Sequence, residues 1–299
     1  MKNLLKSYPM FVMSPPFGMS ANSPNNIFMK KLSKKEREVD KEKALRQWLR
    51  PYQLLASNSI VAVLGQDGWL QDQSYIANLG LVLAHLPDMP IVISNYSAEE
   101  RFGESIVGRQ FFDILGAGPV ITCPFPFEGE ADCKRIRGNI YAIGVGMRTS
   151  SKTAVWLSRQ FNMKIIPITM TNEYAYHLDC LLFPIDDEKM LTAVDYIDKE
   201  TIKELEKVTE VIPVPKNLVS PGATNLVRCN RLLLSSSKAW DLNKNDDEFS
   251  IEKEKVEYLT NIAAKYRLEP LFFNLSEFEK SGAALSCLVM HLTRPEFAD

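Results

Sequence analysis

The sequence predicts a mixed α/β fold in which strands outnumber helices by about two to one. Short apolar runs recur along the chain, and amphipathic stretches with helical spacing lie between them. The two kinds of element do not alternate evenly, as they would in a plain succession of βαβ units. No clean linker interrupts the pattern, so we expect a single domain over residues 1–299.

Strands are predicted where four to eight residues, many of them apolar, lie between segments of helical or turn-forming character. Eleven segments meet this description: Pro9–Met13, Ser59–Leu64, Leu79–Ala84, Ile91–Ser94, Pro119–Thr122, Ile140–Val145, Lys164–Thr169, Leu178–Phe183, Arg231–Ser235, Glu269–Phe273 and Leu285–Leu292.

Helices are predicted where apolar residues recur at intervals of three and four, which places them on one helical face. At the C-terminal end of the pattern, Val256, Leu259 and Ile262 form an apolar stripe opposite lysines and glutamates. Five segments are predicted to be helices: Asp40–Leu55, Glu104–Leu115, Ser151–Phe161, Lys199–Val208 and Ile251–Tyr266. The polar segment Ala239–Glu248 is expected to be a loop.

The composition indicates a protein without a strongly charged partner. The chain has 299 residues, of which 45% are hydrophobic, so it can bury a large core. Its formal net charge is −2, which provides no strong field toward nucleic acid or anionic lipid. The densest charged run, Lys30–Lys43, mixes both signs and is predicted to be a solvated face or helix start.

The cysteines and the absence of long apolar runs indicate a cytoplasmic protein. Five cysteines are scattered without a CxxC pair, and with only three histidines no zinc site is expected. An odd, sparse set is typical of reduced thiols. The start, Met1–Met13, has a short apolar segment broken by Pro9, so no signal peptide is predicted. No run approaches 18 apolar residues, and we expect no membrane span.

The segment Tyr176–Pro184, "YHLDCLLFP", places a histidine and an aspartate at the start of an apolar run. If it is a strand, His177 and Asp179 project from one face, because side chains alternate along a strand. Together they can hold a small cationic substrate beside a proton-transfer group. A structural surface pair is the alternative, and the segment alone leaves both open.

The segment Phe127–Cys133, "FEGEADC", packs three carboxylates into five residues. On a strand, Glu128, Glu130 and Asp132 share one face, where they repel one another unless a cation lies among them. The functional interpretation is a site for a cationic group. An acidic surface turn is the alternative.

The segment Ser281–Leu292, "SGAALSCLVMHL", places Cys287 after a bend of small residues, which permits close approach of a ligand. A buried cysteine is more often inert core filling, so nucleophile and packing both remain open. His291 is expected to be structural.

The segment Gly144–Ser150, "GVGMRTS", lacks the third glycine of a dinucleotide-binding loop. We predict a tight turn into the following helix, with Thr149 or Ser150 as the N-cap.

The order of these motifs resembles that of the amidinotransferase and guanidino-modifying enzyme superfamily, especially its arginine dihydrolase and dimethylarginine dimethylaminohydrolase-like branch. Phe127–Asp132 is similar to the family's "FEGEGD", and Gly144–Ser150 to its "GxGxRTS". His177–Ile185 is similar to "HLDxxxxPL", with Ile185 in place of leucine. Glu277–Leu292 resembles "EFxKxGGxxxCLxLxL".

Weaker matches extend the resemblance over the chain. Met13–Met29 resembles "MCPPxxF…NPWM", and Gln71–Leu83, which contains "SYIAN", resembles "PDMVFTANAGLVL". Glu99–Glu104 resembles "PERQGE", and Gly222–Val227 resembles a segment with "LNAV". Departures such as Ser14 for cysteine, Ala131 for glycine and "SYIAN" for "VFTAN" indicate a divergent member.

The resemblance implies an α/β-propeller, or pentein, of five ββαβ units around a central polar channel. It also implies a hydrolase that attacks the guanidino carbon of L-arginine or a close analogue through an amidino-cysteine intermediate. Arginine dihydrolase is the favoured activity. The alternatives are an arginine deiminase or dimethylarginine dimethylaminohydrolase-like enzyme giving citrulline, an amidinotransferase, or a noncatalytic binding relative.

The resemblance further assigns roles to ten residues. Cys287 is the nucleophile, His177 the acid and then the base, and Glu128 the acid that orients His177, with Glu130 as the alternative. Asn78 stands where deiminases carry aspartate, which favours the dihydrolase. The substrate is expected to contact Asn26, Asn78, Arg101, Glu130, Asp132, Asp179 and Asn225. Asp179 is the first choice for the guanidinium, Arg101 for the carboxylate, and Asn26 and Asn225 for the amino-acid end. No metal or cofactor is implied, and a homo-oligomer remains possible.

Overall fold

The computed structural model describes residues 8–295, and within them fifteen strands form five sheets of three strands each. The predicted domain, residues 1–299, and the segment Met1–Met13 therefore lie partly outside the described residues. In chain order the strands are β1 (Met10–Met13), β2 (Ile60–Val63), β3 (Gly80–Val82), β4 (Ile91–Ile93), β5 (Val120–Thr122), β6 (Cys133–Arg137), β7 (Ile140–Val145), β8 (Lys164–Thr169), β9 (Leu182–Pro184), β10 (Lys189–Thr192), β11 (Glu210–Pro213), β12 (Val227–Cys229), β13 (Leu232–Ser236), β14 (Glu269–Phe273) and β15 (Met290–Thr293).

Nine α-helices lie between the strands of the described chain. They are α1 (Ile27–Lys31), α2 (Lys41–Asn58), α3 (Phe102–Leu115), α4 (Gly129–Asp132), α5 (Ser151–Phe161), α6 (Lys199–Glu206), α7 (Lys216–Val219), α8 (Asp247–Lys265) and α9 (Ser276–Glu279). None of the helices over residues 8–295 combines the length and the apolar character that crossing a membrane requires.

The five sheets repeat one arrangement. In each, the middle strand is antiparallel to one neighbour and parallel to the other, as β4 is to β3 and β5. The parallel pair needs a crossover, which a helix supplies, for example α3 between β4 and β5. The fifth unit uses both ends of the described chain, because β15 pairs with β1, and β1 continues through α2 to β2. The predicted mixed α/β class is confirmed.

The core consists of four buried apolar clusters among the described residues. The largest joins several sheets to α8 through side chains such as Leu191, Leu233 and Leu259. A second contains Phe11 and Trp48 and extends to Cys287, so the segment with the predicted nucleophile rests on packed core.

The structure differs from the predicted strands in the segments that carry the His177 and Cys287 motifs. Leu178–Phe183 is not a strand throughout, because Leu178–Cys180 forms a 3₁₀ turn before β9. Likewise, Leu285–Leu288 is a 3₁₀ turn before β15. Four strands, β6, β10, β11 and β12, were not predicted; each has only three to five residues, too few to show a clear period of two. The predicted loop Ala239–Glu248 ends early, because α8 begins at Asp247.

Candidate active site

A small polar cavity lies where the motif-bearing loops meet. It is lined by Asn25, Asn26, Asp72, Tyr75, Asn78, Arg101, Glu128, Arg148, Tyr176, His177, Ser281, Ala283 and Cys287. The cavity therefore brings together six of the ten predicted residues. Asp132, Asp179 and Asn225 bond to groups that line or support it, and Glu130 points elsewhere.

The acid motif, Phe127–Cys133, contains a turn that only glycine accommodates at position 129. Gly129 has a φ of +59°, and a Cβ there would lie 2.7 Å from the backbone nitrogen of Gly80 and 2.8 Å from the carbonyl oxygen of Ala77. The residues after it form the short helix α4, not a strand. The prediction that three carboxylates share one face is therefore wrong, because a helical turn sends them in different directions.

Glu128 and His177 form the central pair of the cavity. Nε2 of His177 lies 2.7 Å from Oε2 of Glu128, and both side chains are buried. Burial opposes the charge on Glu128, but the hydrogen bond and positive charge of His177 outweigh it and lower the pKa of Glu128 to about 2. Burial also opposes the charge on His177, yet the nearby carboxylates of Asp132 and Glu128 raise its pKa. The pair therefore favours imidazolium and carboxylate.

Asn78 lies against this pair. Its side-chain nitrogen is 3.1 Å from Nε2 of His177 and 3.3 Å from Oε2 of Glu128. The residue ends a 3₁₀ turn, Ile76–Asn78, whose packing against Gly129 fixes the relative positions of the two motifs. A neutral amide is thus placed beside the proton-transfer groups.

Two arginines also lie next to the carboxylate of Glu128. Arg101 donates from Nε and Nη2 to the carboxylate of Glu104, at 2.9 and 2.7 Å, and its Nη1 lies 3.9 Å from Glu128. Nη1 of Arg148 lies 3.6 Å from the other oxygen of Glu128. Arg148 also donates to the carbonyl of Asn25 at 2.8 Å and lies over the ring of Tyr176.

Asp132 does not line the cavity. One of its oxygens accepts a hydrogen bond from Oγ1 of Thr149 at 2.6 Å, and the other accepts from the backbone nitrogen of Leu178 at 3.1 Å. Thr149 in turn accepts from the backbone nitrogen of Glu128. Burial raises the pKa of Asp132 to about 6. Asp132 thus joins the acid motif to the backbone next to His177. Ser150 caps α5, as one of the two predicted alternatives proposed.

Glu130 turns away from the cavity toward β15. Its oxygens lie 2.6 Å from Nδ1 of His291 and 2.8 Å from the backbone nitrogen of the same residue. Burial is offset by the positive charges of His291 and Lys134, which lower the pKa of Glu130 to about 2. The structure therefore does not bring Glu130 to the predicted substrate site, and it pairs His177 with Glu128.

Cys287 reaches the cavity from the 3₁₀ turn Leu285–Leu288. Its Sγ lies 3.8 Å from both Oδ2 of Asp179 and Nδ2 of Asn225. Ser286 holds this arrangement, because its Oγ donates to Asp179 at 2.6 Å and its backbone nitrogen to Asn225 at 2.7 Å. Burial, together with the charge of Asp179, raises the pKa of Cys287 to about 12. Without a bound cation the sulfur is therefore a thiol.

His177 and Asp179 do not share a strand face, as a continuous strand would require. His177 is extended at the start of the 3₁₀ turn and faces Glu128, whereas Asp179 lies within the turn and faces Cys287. Cys180 is half-buried, with its sulfur 3.7 Å from Asp179. The turn thus lets one short motif serve two parts of the site.

The amino-acid end predicted for Asn26 and Asn225 is split in the structure. Asn26 caps α1, accepting from the backbone nitrogen of Met29, and donates to the carbonyl of Ser281 at 3.0 Å. It lines the cavity, whereas Asn225 contacts Cys287 and Asp179.

Sequence reasoning missed seven of the thirteen cavity residues, among them Asp72, Tyr75, Arg148 and Ser281. All four lie within segments already compared with the family, and Arg148 is the arginine of "GVGMRTS". The feature of the sequence that could have identified them is that each is a polar residue inside a segment that matches the family. Within residues 8–295, no group of three or more histidine, cysteine or acidic side chains is arranged to hold a metal ion.

No protein-family model matches the chain. It is 27% identical over 289 residues, 95% of its length, to the bifunctional arginine dihydrolase/ornithine cyclodeaminase AgrE of Nostoc sp.. It is 26% identical over 264 residues, 86% of its length, to ArgZ of Synechocystis sp., which has the same description. The matches cover 38% and 34% of these two proteins, so the chain spans well under half of their length.

Solved structures show the same fold. The N-terminal domain of ArgZ, covalently bound to a reaction intermediate, superposes with a TM-score of 0.82 at 23% identity, covering 96% of this chain and 98% of that one. DDAH from Pseudomonas aeruginosa, in complex with citrulline, gives 0.71 at 16% identity, covering 95% and 99%. The chain therefore has the fold of these proteins, and the predicted resemblance to arginine dihydrolases is confirmed by its sequence similarity to AgrE and ArgZ.

Proposed function

We propose that the chain is a hydrolase of the guanidino carbon of L-arginine, acting as an arginine dihydrolase that forms ornithine, ammonia and carbon dioxide. The observation that carries the proposal is one small cavity lined by Cys287 and by the buried His177–Glu128 pair. The similarity to AgrE and ArgZ, both named as arginine dihydrolases, supports the same activity.

The substrate's own charge activates the nucleophile. The thiol of Cys287 has a raised pKa because it is buried beside the carboxylate of Asp179. A guanidinium bound against Asp179 neutralises that carboxylate and places a positive charge next to the sulfur. Both changes lower the pKa of Cys287, so the thiolate forms when its target carbon is in place.

His177 then moves the protons. The thiolate attacks the guanidino carbon, and imidazolium gives its proton to the departing nitrogen, which leaves as ammonia. The neutral imidazole next takes a proton from water, which attacks the amidino-cysteine carbon and releases the sulfur. The product of this first cycle is a ureido group, and a second cycle releases ammonia, carbon dioxide and ornithine.

Asn78 supports the second cycle. Its neutral amide lies beside His177 and Glu128, where a carboxylate would add a second negative charge next to that of Glu128. A neutral ureido group needs both hydrogen-bond donors and acceptors, and an amide side chain provides them. This is the reason to favour dihydrolase over deiminase.

Charged side chains that line the cavity suit a free amino acid. Arg148, which lines the cavity beside Glu128, and Arg101, whose Nη1 is not bonded to Glu104, are placed to bind a carboxylate. Asp72 lines the same cavity and provides a negative charge for an α-ammonium group.

We also infer that the five sheets close into an α/β-propeller around a polar channel, within one domain. The five ββαβ units and the pairing of β1 with β15 support this closure.

The activity is tested by incubating the protein with L-arginine and identifying the products. Ornithine with ammonia is expected; citrulline as the end product would indicate a deiminase, and no turnover of any guanidino compound would overturn the proposal. Cys287→Ser should lower kcat about a thousandfold or more, because serine is a far weaker nucleophile at this site. Cys180→Ser is the matched control at the neighbouring thiol, and it should retain activity.

A further inference from the structure

Three residues that line the cavity each have a buried side-chain oxygen without a hydrogen-bond partner among residues 8–295. These oxygens are Oδ1 of Asp72, the hydroxyl of Tyr75 and Oγ of Ser281. The three residues are only 2%, 5% and 2% exposed. A buried polar atom left without a partner costs about 1–3 kcal/mol, so several on one cavity wall indicate atoms reserved for a ligand.

The surrounding contacts hold these atoms in place. The other oxygen of Asp72 accepts from Asn25 at 2.6 Å and from Gln71 at 3.3 Å, which leaves Oδ1 free in a fixed orientation. The carbonyl of Tyr75 accepts from Arg101 at 3.3 Å. The carbonyl of Ser281 accepts from Asn26 at 3.0 Å. The free side-chain atoms are therefore not left over from a loosely packed loop.

The chemistry of the three atoms specifies what they can bind. Burial and the nearby charge of Asp72 raise the pKa of Tyr75, so its phenol keeps its proton and its oxygen can accept a hydrogen bond. The Ser281 hydroxyl lies close to that of Tyr75, although the two do not meet with the geometry of a hydrogen bond. Together the wall offers three oxygen acceptors and one negative charge.

We propose that Tyr75 and Ser281 are specificity-determining residues, whose hydroxyls join Oδ1 of Asp72 to receive a primary ammonium group of the substrate. A primary ammonium carries three N–H donors and one positive charge, which matches three acceptor oxygens that include one carboxylate. This assignment rests on the proposed function, because it concerns the other end of the same substrate. Tyr75 stands where the resembling pattern "VFTAN" has phenylalanine, so its hydroxyl is a feature of this chain.

The subsite predicts discrimination between L-arginine and 5-guanidinopentanoate, which has the same chain and carboxylate but no amino group. The analogue leaves all three acceptors buried and unpaired, so its affinity should be lower by about 100-fold or more. Tyr75→Phe and Ser281→Ala should each weaken L-arginine binding about 3- to 10-fold while leaving the affinity for the analogue almost unchanged.

The affinities are measured by calorimetric titration of L-arginine and of 5-guanidinopentanoate. The parent protein is Cys287→Ser, which should bind both compounds without turnover. The test variants combine Cys287→Ser with Tyr75→Phe or with Ser281→Ala. The matched control is Tyr258→Phe on helix α8. It removes a hydroxyl that does not line the cavity and that bonds to the carbonyl of Pro213. Thermal unfolding of each variant, measured without ligand, should be close to that of the parent.

The result expected is a preference for L-arginine that falls in the two cavity variants and is retained in the control. Binding of L-arginine with the same preference in all variants would overturn this inference and leave the proposed function standing. Binding of neither compound by Cys287→Ser would overturn both.

Discussion

Asp132 does not line the cavity, but its carboxylate affects the pKa of His177, the proposed acid and base. It contacts no cavity atom directly, but its charge is the largest of the effects that raise the pKa of His177. Its two hydrogen bonds also fix the backbone at Leu178 and the side chain of Thr149. We therefore assign it the part of a positioning residue, in place of the guanidinium contact that the resemblance implied.

Asp132→Asn should change the pH dependence of turnover more than substrate affinity. In the proposed mechanism His177 must be protonated to release ammonia, so activity should fall as the pH rises through the pKa of His177. Removal of the Asp132 charge lowers that pKa, and the alkaline limb of the kcat profile should move to lower pH. We expect kcat at neutral pH to fall about tenfold, with KM changed less than about twofold. Kinetics from pH 5 to 10 measure both.

A direct substrate contact gives the opposite result. If Asp132 held the guanidinium, KM would rise strongly and the alkaline limb would stay in place. Thr149→Val, which removes the hydroxyl bonded to Asp132 but retains the carboxylate, should leave the limb closer to that of the parent.

Residues that belong to a short motif could be predicted from the sequence. Where their side chains point could be predicted less well. Glu128, His177 and Cys287 were identified because each lies in a dense, recognisable segment. The different destinations of Glu128 and Glu130 were not predictable, because a strand and a four-residue helix contain the same letters. Arg148 and Tyr75 acquire their positions from contacts between distant parts of the chain, such as the hydrogen bond of Arg148 to Asn25 and the edge-on contact of Tyr75 with Phe278.

Short connecting elements, more than the sheets, set the geometry of the site. Cys287 and Asp179 both lie in 3₁₀ turns that precede a strand, and Glu128 precedes the short helix α4. Sequence periodicity identified long helices such as α5 and strands such as β7, because many residues contribute to the pattern. A turn of three or four residues has no period, so the elements nearest the chemistry were the hardest to predict.

Gly129→Ala should disrupt the acid-motif turn. The added Cβ would lie within 2.8 Å of backbone atoms of Gly80 and Ala77 in a left-handed conformation. We expect the free energy of unfolding to fall by about 3 kcal/mol and kcat by about 100-fold, because a small displacement of Glu128 disorients His177. Urea unfolding and steady-state kinetics provide the two measurements.

Gly138→Ala is the matched control for the backbone effect. Gly138 also has a positive φ, +46°, but a Cβ there would contact nothing within 4 Å. It should cost only about 1 kcal/mol and leave kcat unchanged. Equal losses of activity in the two variants would contradict the steric explanation.

The site depends on the whole molecule, because its residues come from every part of the described chain. The cavity combines Asn26 near one end with Cys287 near the other, and His177 between them. The strand β15, which follows Cys287, pairs with β1 and also bonds through His291 to Glu130. One sheet therefore contains strands from near both ends of the described chain. We expect the segment with Cys287 to unfold together with the rest of the molecule.

Activity and structure should accordingly be lost together in urea. Phe11 of β1 is fully buried, pairs in register with His291 and packs edge-on against its ring at 5.1 Å. Phe11→Ala should lower the free energy of unfolding by about 3–5 kcal/mol. Because β1 is the strand with which β15 pairs, the midpoints of activity and of circular dichroism should shift by the same amount. Loss of activity at clearly lower urea than loss of circular dichroism would instead show that the Cys287 loop opens on its own, and that closure of the chain ends does not hold the site.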